Sequence, residues 1–290
     1  MTASLNPYIS KFEAGFDAER SSQYRMAIQF SLGGFSYALL DVATASIIGL
    51  ECFQSDSLAG DGELFQALER ALEAKNLNNR DFEAVCCLMD HRTSTLVPTS
   101  LFDEKEAASY LGFAFQVGNE QLVLSEPLKS VQGFNVFAAS KALLANIRSK
   151  WPKAQVRHSG SVFIDGAVQG LMGDSTVFVN VRNQNYDMAI VEEGKLLFFN
   201  NFKFNTKEDF VYFLLLALEQ NHLSGTDVSA CFTGLMLPDA KIMELCNRYI
   251  NEIRFVEVER IESLGETLRE VPFQYYCLLY QVLRGEAQAV

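Results

Sequence analysis

The sequence predicts an α/β protein of two related lobes, each a mixed five-stranded sheet with flanking helices. Three observations carry this expectation. Residues 176–204 alternate between β-branched or aromatic runs and two short breaks, a polar turn and Glu192-Glu193-Gly194. That pattern reads as three strands, and connections this tight force antiparallel neighbours. The same plan occurs earlier, at residues 26–53. Each copy is followed by helix, strand, helix and strand, an order that places helices on the faces of a partly parallel sheet.

In chain order, residues 1–24 are polar and weakly patterned, a leader that packs loosely or caps an edge. Residues 26–32, 35–40 and 45–53 are the first three strands; Gly33-Gly34 lets the backbone turn or approach a neighbour closely, and Asp41 ends the second strand. Gly60-Asp61-Gly62 opens an amphipathic helix over 63–75, with Leu64, Leu68, Ala71 and Leu72 on one face. The continuous apolar run 82–89 marks a strand covered on both faces. Between about 90 and 133 the pattern loosens into an elaboration of the first lobe, with an acidic helix at 103–111 and strand-like stretches at 113–117 and 121–127. A strand at 135–139 and a helix at 140–151, stopped by Pro152, follow. The first lobe thus covers 25–155, and a connecting segment, 156–173, includes a helix.

The second lobe, 174–290, continues past its meander with a helix over 206–222, opened by Asn205 or Thr206 with Glu208 and Asp209 in its first turn. Its segment 210–218 is apolar all round, which predicts burial of both faces; the alternative is a stripe that faces a partner. A strand at 227–234, a helix from Pro238 to 250 and a strand at 253–258 complete the repeat. Pro272 starts a last helix that ends near Gly285, with Phe273, Cys277 and Tyr280 at the spacing of one buried face.

Composition excludes several function classes. The net charge of −12 opposes a broad nucleic-acid surface, which needs clustered Lys and Arg. No apolar run approaches the roughly 18 residues of a membrane span, and the first residues lack the basic start and apolar block of a secretory signal, so a cytoplasmic location is expected. Cys52, Cys86, Cys87, Cys231, Cys246 and Cys277 contain no C-x-x-C pair and read as buried thiols, with no metal site. His91, His158 and His222 share no ligand spacing. No Walker loop, G-x-G-x-x-G, H-E-x-x-H or Ser-His-Asp order is present.

The second meander reads Asn180-Val181-Arg182-Asn183-Gln184-Asn185, then Asp187-Met188-Ala189-Ile190-Val191 and Gly194; the first reads Ser31-Leu32-Gly33-Gly34-Phe35-Ser36. Phe232-Thr233-Gly234 follows in the second lobe, and Pro272 to Leu283-Arg284-Gly285 closes the chain's layout. With the duplication, these residues resemble the actin-like ATPase superfamily, whose two ribonuclease-H-like lobes hold nucleotide in the cleft between them. The layout of residues 25–285 is also similar to a bacterial family of this fold with no described activity, and distantly to actin-like proteins of pilus assembly and cell division.

The resemblance implies cleft positions at Ser31, Gly33, Gly34, Ser36, Asn180, Asn183, Asn185, Thr233 and Gly234, all in degenerate form. Ser31 and Asn180 stand where the family has metal- and water-ordering carboxylates, and Arg182 stands where it has a glycine that admits phosphate. Leu235 replaces the second glycine of the adenosine turn. Neutral Ser and Asn cannot balance a hard divalent cation, on which phosphoryl transfer depends. No catalytic residue, metal or cofactor is therefore expected, with weak ATP or ADP binding left open. Asp41 and Asp187 could serve as substitute ligands, but a structural turn or a surface role is the expectation for both. The implied function is a non-catalytic scaffold or adaptor with a protein partner, by family analogy one in the membrane. The alternative is a divergent ATPase or sugar-kinase-like enzyme that uses other cleft residues.

Overall fold

The computed structural model describes residues 6–54, 60–258 and 264–285. Four strands open the chain: β1 (Ile9–Phe12), β2 (Tyr24–Ser31), β3 (Gly34–Asp41) and β4 (Ser46–Gln54). The last three are the expected antiparallel meander. β1 comes from the leader and pairs with the far edge of β4, from Ile9 opposite Cys52 to Phe12 opposite Gly49. The helix α1 (Asp61–Ala74) leads to β5 (Ala84–Asp90), which pairs parallel with β2.

The elaboration is a small antiparallel sheet. Its elements are β6 (Ser94–Pro98), α2 (Ala107–Gly112), β7 (Gln121–Pro127) and β8 (Gly133–Ser140), in the spatial order β6-β8-β7. Residues 113–117 are not a strand: the N–H groups of Ala114 and Phe115 donate back to Leu111 O and close α2, while Phe115 and Val117 pack beneath it. α3 (Lys141–Lys150) is capped by Ser140, whose hydroxyl accepts from Leu143 N. β9 (Gln155–His158) returns to the first sheet beside β5, and α4 (Ser159–Val168) follows. The first sheet is therefore six-stranded, in the order β1-β4-β3-β2-β5-β9, because the leader and residues 155–158 both contribute a strand.

The second lobe contains β10 (Val177–Arg182), β11 (Asn185–Glu192), β12 (Lys195–Lys203), α5 (Lys207–Gln220), β13 (Ser229–Gly234), α6 (Lys241–Cys246) and β14 (Glu252–Phe255). Its sheet has five strands, β12-β11-β10-β13-β14, with β10, β13 and β14 parallel. β2 and β10 lie in different sheets, as the duplication requires. Thr206 and Asp209 form a full capping box on α5. α5 buries Phe210, Val211, Leu214, Ala217 and Leu218 but leaves Tyr212 exposed, so its all-apolar segment has one buried face rather than two.

The final helix, α7, spans Cys277–Gly285, and residues 273–275 form a separate 3-10 turn. Its buried residues are Cys277, Leu278, Leu279, Val282 and Leu283, whereas Phe273 and Tyr280 are half-buried. The wider burial arises because α4 and α7 lie between the two sheets. Phe163 and Leu279 join Ala27 and Leu88 of the first lobe to Phe178 and Ala189 of the second in one core. α1 and α3 cover the outer face of the first sheet, and α5 and α6 that of the second. All six cysteines are buried and free.

Candidate functional site

The turns that end β2 and β10 meet at the mouth between the lobes. Gly33 takes a φ of 76°, and a Cβ on Gly34 would stand 2.3 Å from Phe53 O, so both glycines are needed to fold β3 back onto β2. Across the cleft Gly234 has a φ of 81°, and its Cβ would meet Val181 O at 2.1 Å. Ser31, Gly34, Ser36, Asn180, Asn183, Asn185 and Gly234 converge on one cavity of about 80 Å³, with Gln29 and Asp90 beside them. Of the remaining expected positions, Gly33 shapes its turn. Thr233 lies buried below the cavity, where its hydroxyl donates to Gln274 O at 3.0 Å, a packing role.

Arg182 occupies the centre of this site. It is the last residue of β10, and its buried guanidinium reaches into the first lobe, where Nε lies 2.9 Å from Asp90 Oδ1. Nη2 packs against Asp187 Oδ2 of its own lobe, and Nη1 donates to Asn185 Oδ1 at 3.2 Å. Nε and Nη2 are held by charge without hydrogen-bond alignment. The carboxylates are satisfied elsewhere. Asp90 accepts from Gln29 Nε2 at 2.8 Å and Ser159 Oγ at 2.6 Å, and Asp187 accepts from Asn201 Nδ2 at 2.8 Å and Asn180 Nδ2 at 3.5 Å. Burial lowers the pKa of Arg182 from its ordinary value, opposed by the charge of Asp90. A guanidinium starts from so high a value that it stays charged.

These contacts correct one expectation and support another. Asp187 is neither at the surface nor in a turn: it is a buried strand residue directly opposite Asn180 in the β10–β11 ladder. Asp41 is the structural turn, its Oδ1 accepting from Ala43 N and Thr44 N while Oδ2 pairs with Arg20 at 3.2 Å, outside the cleft. Asp90 and Gln29 went unread in the sequence. The one signal for Asp90 is its position, a carboxylate that closes an otherwise apolar buried strand.

A bound nucleotide with its metal does not fit these residues. Pockets for ligands of that size run to about 300–1,000 Å³, whereas this cavity holds about 80 Å³. Asp90 and Asp187, the carboxylates nearest the centre, are both engaged by Arg182. Ser31 spends its hydroxyl on Gly34 O at 3.2 Å, closing its own turn.

Two duplicated lobes around a central cleft, each with the meander-first mixed sheet, define the actin-like ATPase fold. The chain belongs to the family described as protein of unknown function (DUF3822), whose profile matches residues 13–253. No curated protein matches it significantly. Among solved structures, a Bacteroides thetaiotaomicron protein with actin-like ATPase fold and unknown function superposes with a TM-score of 0.74 at 20% identity, over 85% of this chain and 96% of that one. A chain of the PilM–PilN type IV pilus biogenesis complex superposes with a TM-score of 0.56 at 11% identity, over 90% of this chain and 98% of that one. No helix among the described residues is long and apolar enough to cross a membrane.

Proposed function

We propose that this protein is a non-catalytic actin-like scaffold or adaptor that works in the cytoplasm through protein–protein contacts. The observation that carries the reading is Arg182, which fills the centre of the cleft and pairs with Asp90 of one lobe and Asp187 of the other. Ser31 and Asn180 add to it, since neither can hold a hard cation as a carboxylate would. The PilM–PilN likeness supports a protein partner, because that solved assembly is itself a complex between proteins. The reading includes no cofactor, and tolerates only weak adenine-nucleotide affinity at the surface of the cleft.

Phosphate release from ATP by the purified protein, with and without magnesium, tests this. The expected result is no release above the protein-free blank, for the wild type and for Ser31→Asp combined with Asn180→Asp, because Arg182 remains in place. Magnesium-dependent turnover by the wild type would overturn the scaffold reading in favour of an ATPase.

A further inference from the structure

We propose that the groove between β6 and β12 is a docking site for an extended peptide of a partner protein, which adds to β12 as a strand and sets an acidic side chain against Arg92. The proposal deepens the scaffold reading and rests on it. β6 ends the order β6-β8-β7 and β12 ends the order β12-β11-β10-β13-β14, so among the described residues each has one side without a neighbouring strand. An edge strand keeps a row of N–H and C=O groups outside the ladder, ready to pair with another chain. These two edges, one from each lobe, wall the same cavity of about 340 Å³. Ser94, Thr95 and Leu96 form one side, and Phe199, Asn200 and Asn201 the other.

Edge strands are commonly blunted by charge, proline or a bulge. β12 has lysines only at its two ends, Lys195 and Lys203, and a register shift opposite Ile190 and Val191 that leaves Leu197 unpaired and exposed. The stretch from Phe199 to Phe202 has neither device. The N–H of Asn201 donates instead to the side-chain Oδ1 of Asn200 at 2.8 Å, a local stand-in that the carbonyl of an added strand can replace. The groove is walled on both sides, so it suits a single slender strand. A second copy of this chain would bring β11 and α5 along with its own edge.

Charge selects the occupant further. The chain carries a net charge of −12, yet among the described residues no carboxylate lines this groove, and exposed Arg92 does. An acidic peptide is repelled by much of the surface and received here. The groove also adjoins the interlobe network. Asn201, which lines it, donates through Nδ2 to Asp187, the carboxylate that pairs with Arg182. A strand on β12 therefore touches the residue that orients one arm of that ion network.

Panning a phage-displayed random dodecapeptide library against the full chain tests the proposal. The enriched peptides should alternate apolar residues and carry an Asp or Glu. A synthetic copy should slow amide hydrogen exchange within residues 199–203, and Arg92→Glu should weaken it about tenfold. N-methylation of alternate peptide residues removes main-chain donors without touching the protein, and should abolish binding. The proposal is overturned by failure to enrich, by protection confined elsewhere, by indifference to Arg92→Glu or by full binding of the N-methylated peptide. A dimer in light scattering that Arg92→Glu disrupts would assign the groove to a second copy instead. Phosphate release would remain at the blank in all these outcomes, so this proposal can fail while the scaffold reading stands.

Discussion

Replacing Arg182 with alanine takes a positive charge from between two buried carboxylates. Asp90 stays behind with its bonds from Gln29 and Ser159, and Asp187 with those from Asn201 and Asn180, so both keep neutral donors but lose their counter-ion. Truncating one partner of a buried ion pair costs about 3–5 kcal/mol, mostly the penalty of the stranded charge. At about 2–4 °C per kcal/mol for a chain of this size class, the thermal midpoint should fall by about 6–20 °C. Circular dichroism with thermal and urea unfolding measures the loss. The charge argument makes a sharper demand on a second variant. Arg182→Met together with Asp90→Asn and Asp187→Asn removes all three charges and should recover most of the stability, since neutral replacements of buried ion networks are often tolerated. Raising the salt concentration should change the wild-type midpoint little, because buried pairs are poorly screened. An unchanged midpoint for Arg182→Ala, or no recovery in the neutral triple variant, would refute the buried bridge.

Gly234→Ala forces a Cβ to within 2.1 Å of Val181 O at a φ of 81°, and should destabilise by about 1–3 kcal/mol in urea titrations. Leu279→Ala, fully buried in the shared core, should cost about 2–5 kcal/mol, and half-buried Tyr280→Ala less than that; the reverse order in melting temperature would contradict the placement of α7. His158 should make stability fall in acid. Burial first, then His91 and Arg182, hold its pKa well below the ordinary value, while its Nδ1 accepts from Gly160 N and its Nε2 lies 2.7 Å from His91 O. The unfolded chain takes up the proton near pH 6.5, so the contribution is complete above that pH and is lost as pH falls toward the folded value. The loss runs at up to about 1.4 kcal/mol per pH unit. His158→Gln should flatten that slope in urea midpoints taken between pH 7.5 and 5. Glu126, pushed up by burial, acts in the opposite sense in both proteins and drops out of the difference.

How far the fold was legible depended on length and periodicity. β2 to β4 and β10 to β12 are long alternating runs broken by glycine turns, and both were read from those features alone. β1 has four residues, Ile-Ser-Lys-Phe, too few to separate alternation from chance, and it exists because β4 offers an edge to pair with. β6 is short, half polar and ends in Pro98, so its partner β8 decides it. In the cleft, Ser31 and Asn180 line one cavity with Gly234 of β13, because homologous turns of duplicated lobes face one another. The crowding by Arg182 was visible from the register of the second meander. Its partner was not, since Asp90 sits in the other lobe and no local pattern links the two. Asp187 offered a cue that went unused: a carboxylate amid the apolar strand Asn185–Glu192, opposite Asn180, is costly to bury and calls for a cation nearby.

Arg182 taken alone would attract a phosphate, and the network around it reverses that. One guanidinium and two carboxylates leave the centre of the cleft with a net charge of −1. The four groups that complete it, from Gln29, Ser159, Asn180 and Asn201, already donate to Asp90 and Asp187 and have little to offer an incoming anion. A nucleotide would have to displace a tethered cation, separate it from both carboxylates and bring its own negative charge beside them. Closure by a free ligand follows that ligand's concentration and its preference for the closed state. A side chain on β10 is always present at high effective concentration, so pairing across the lobes needs nothing from solution. On the scaffold reading this is the useful property: the surfaces at β6 and β12 keep their relative placement whether or not nucleotide is present. A partner strand that pulls Asn201 from Asp187 would act on the ion network that, with the shared core of α4 and α7, joins the lobes.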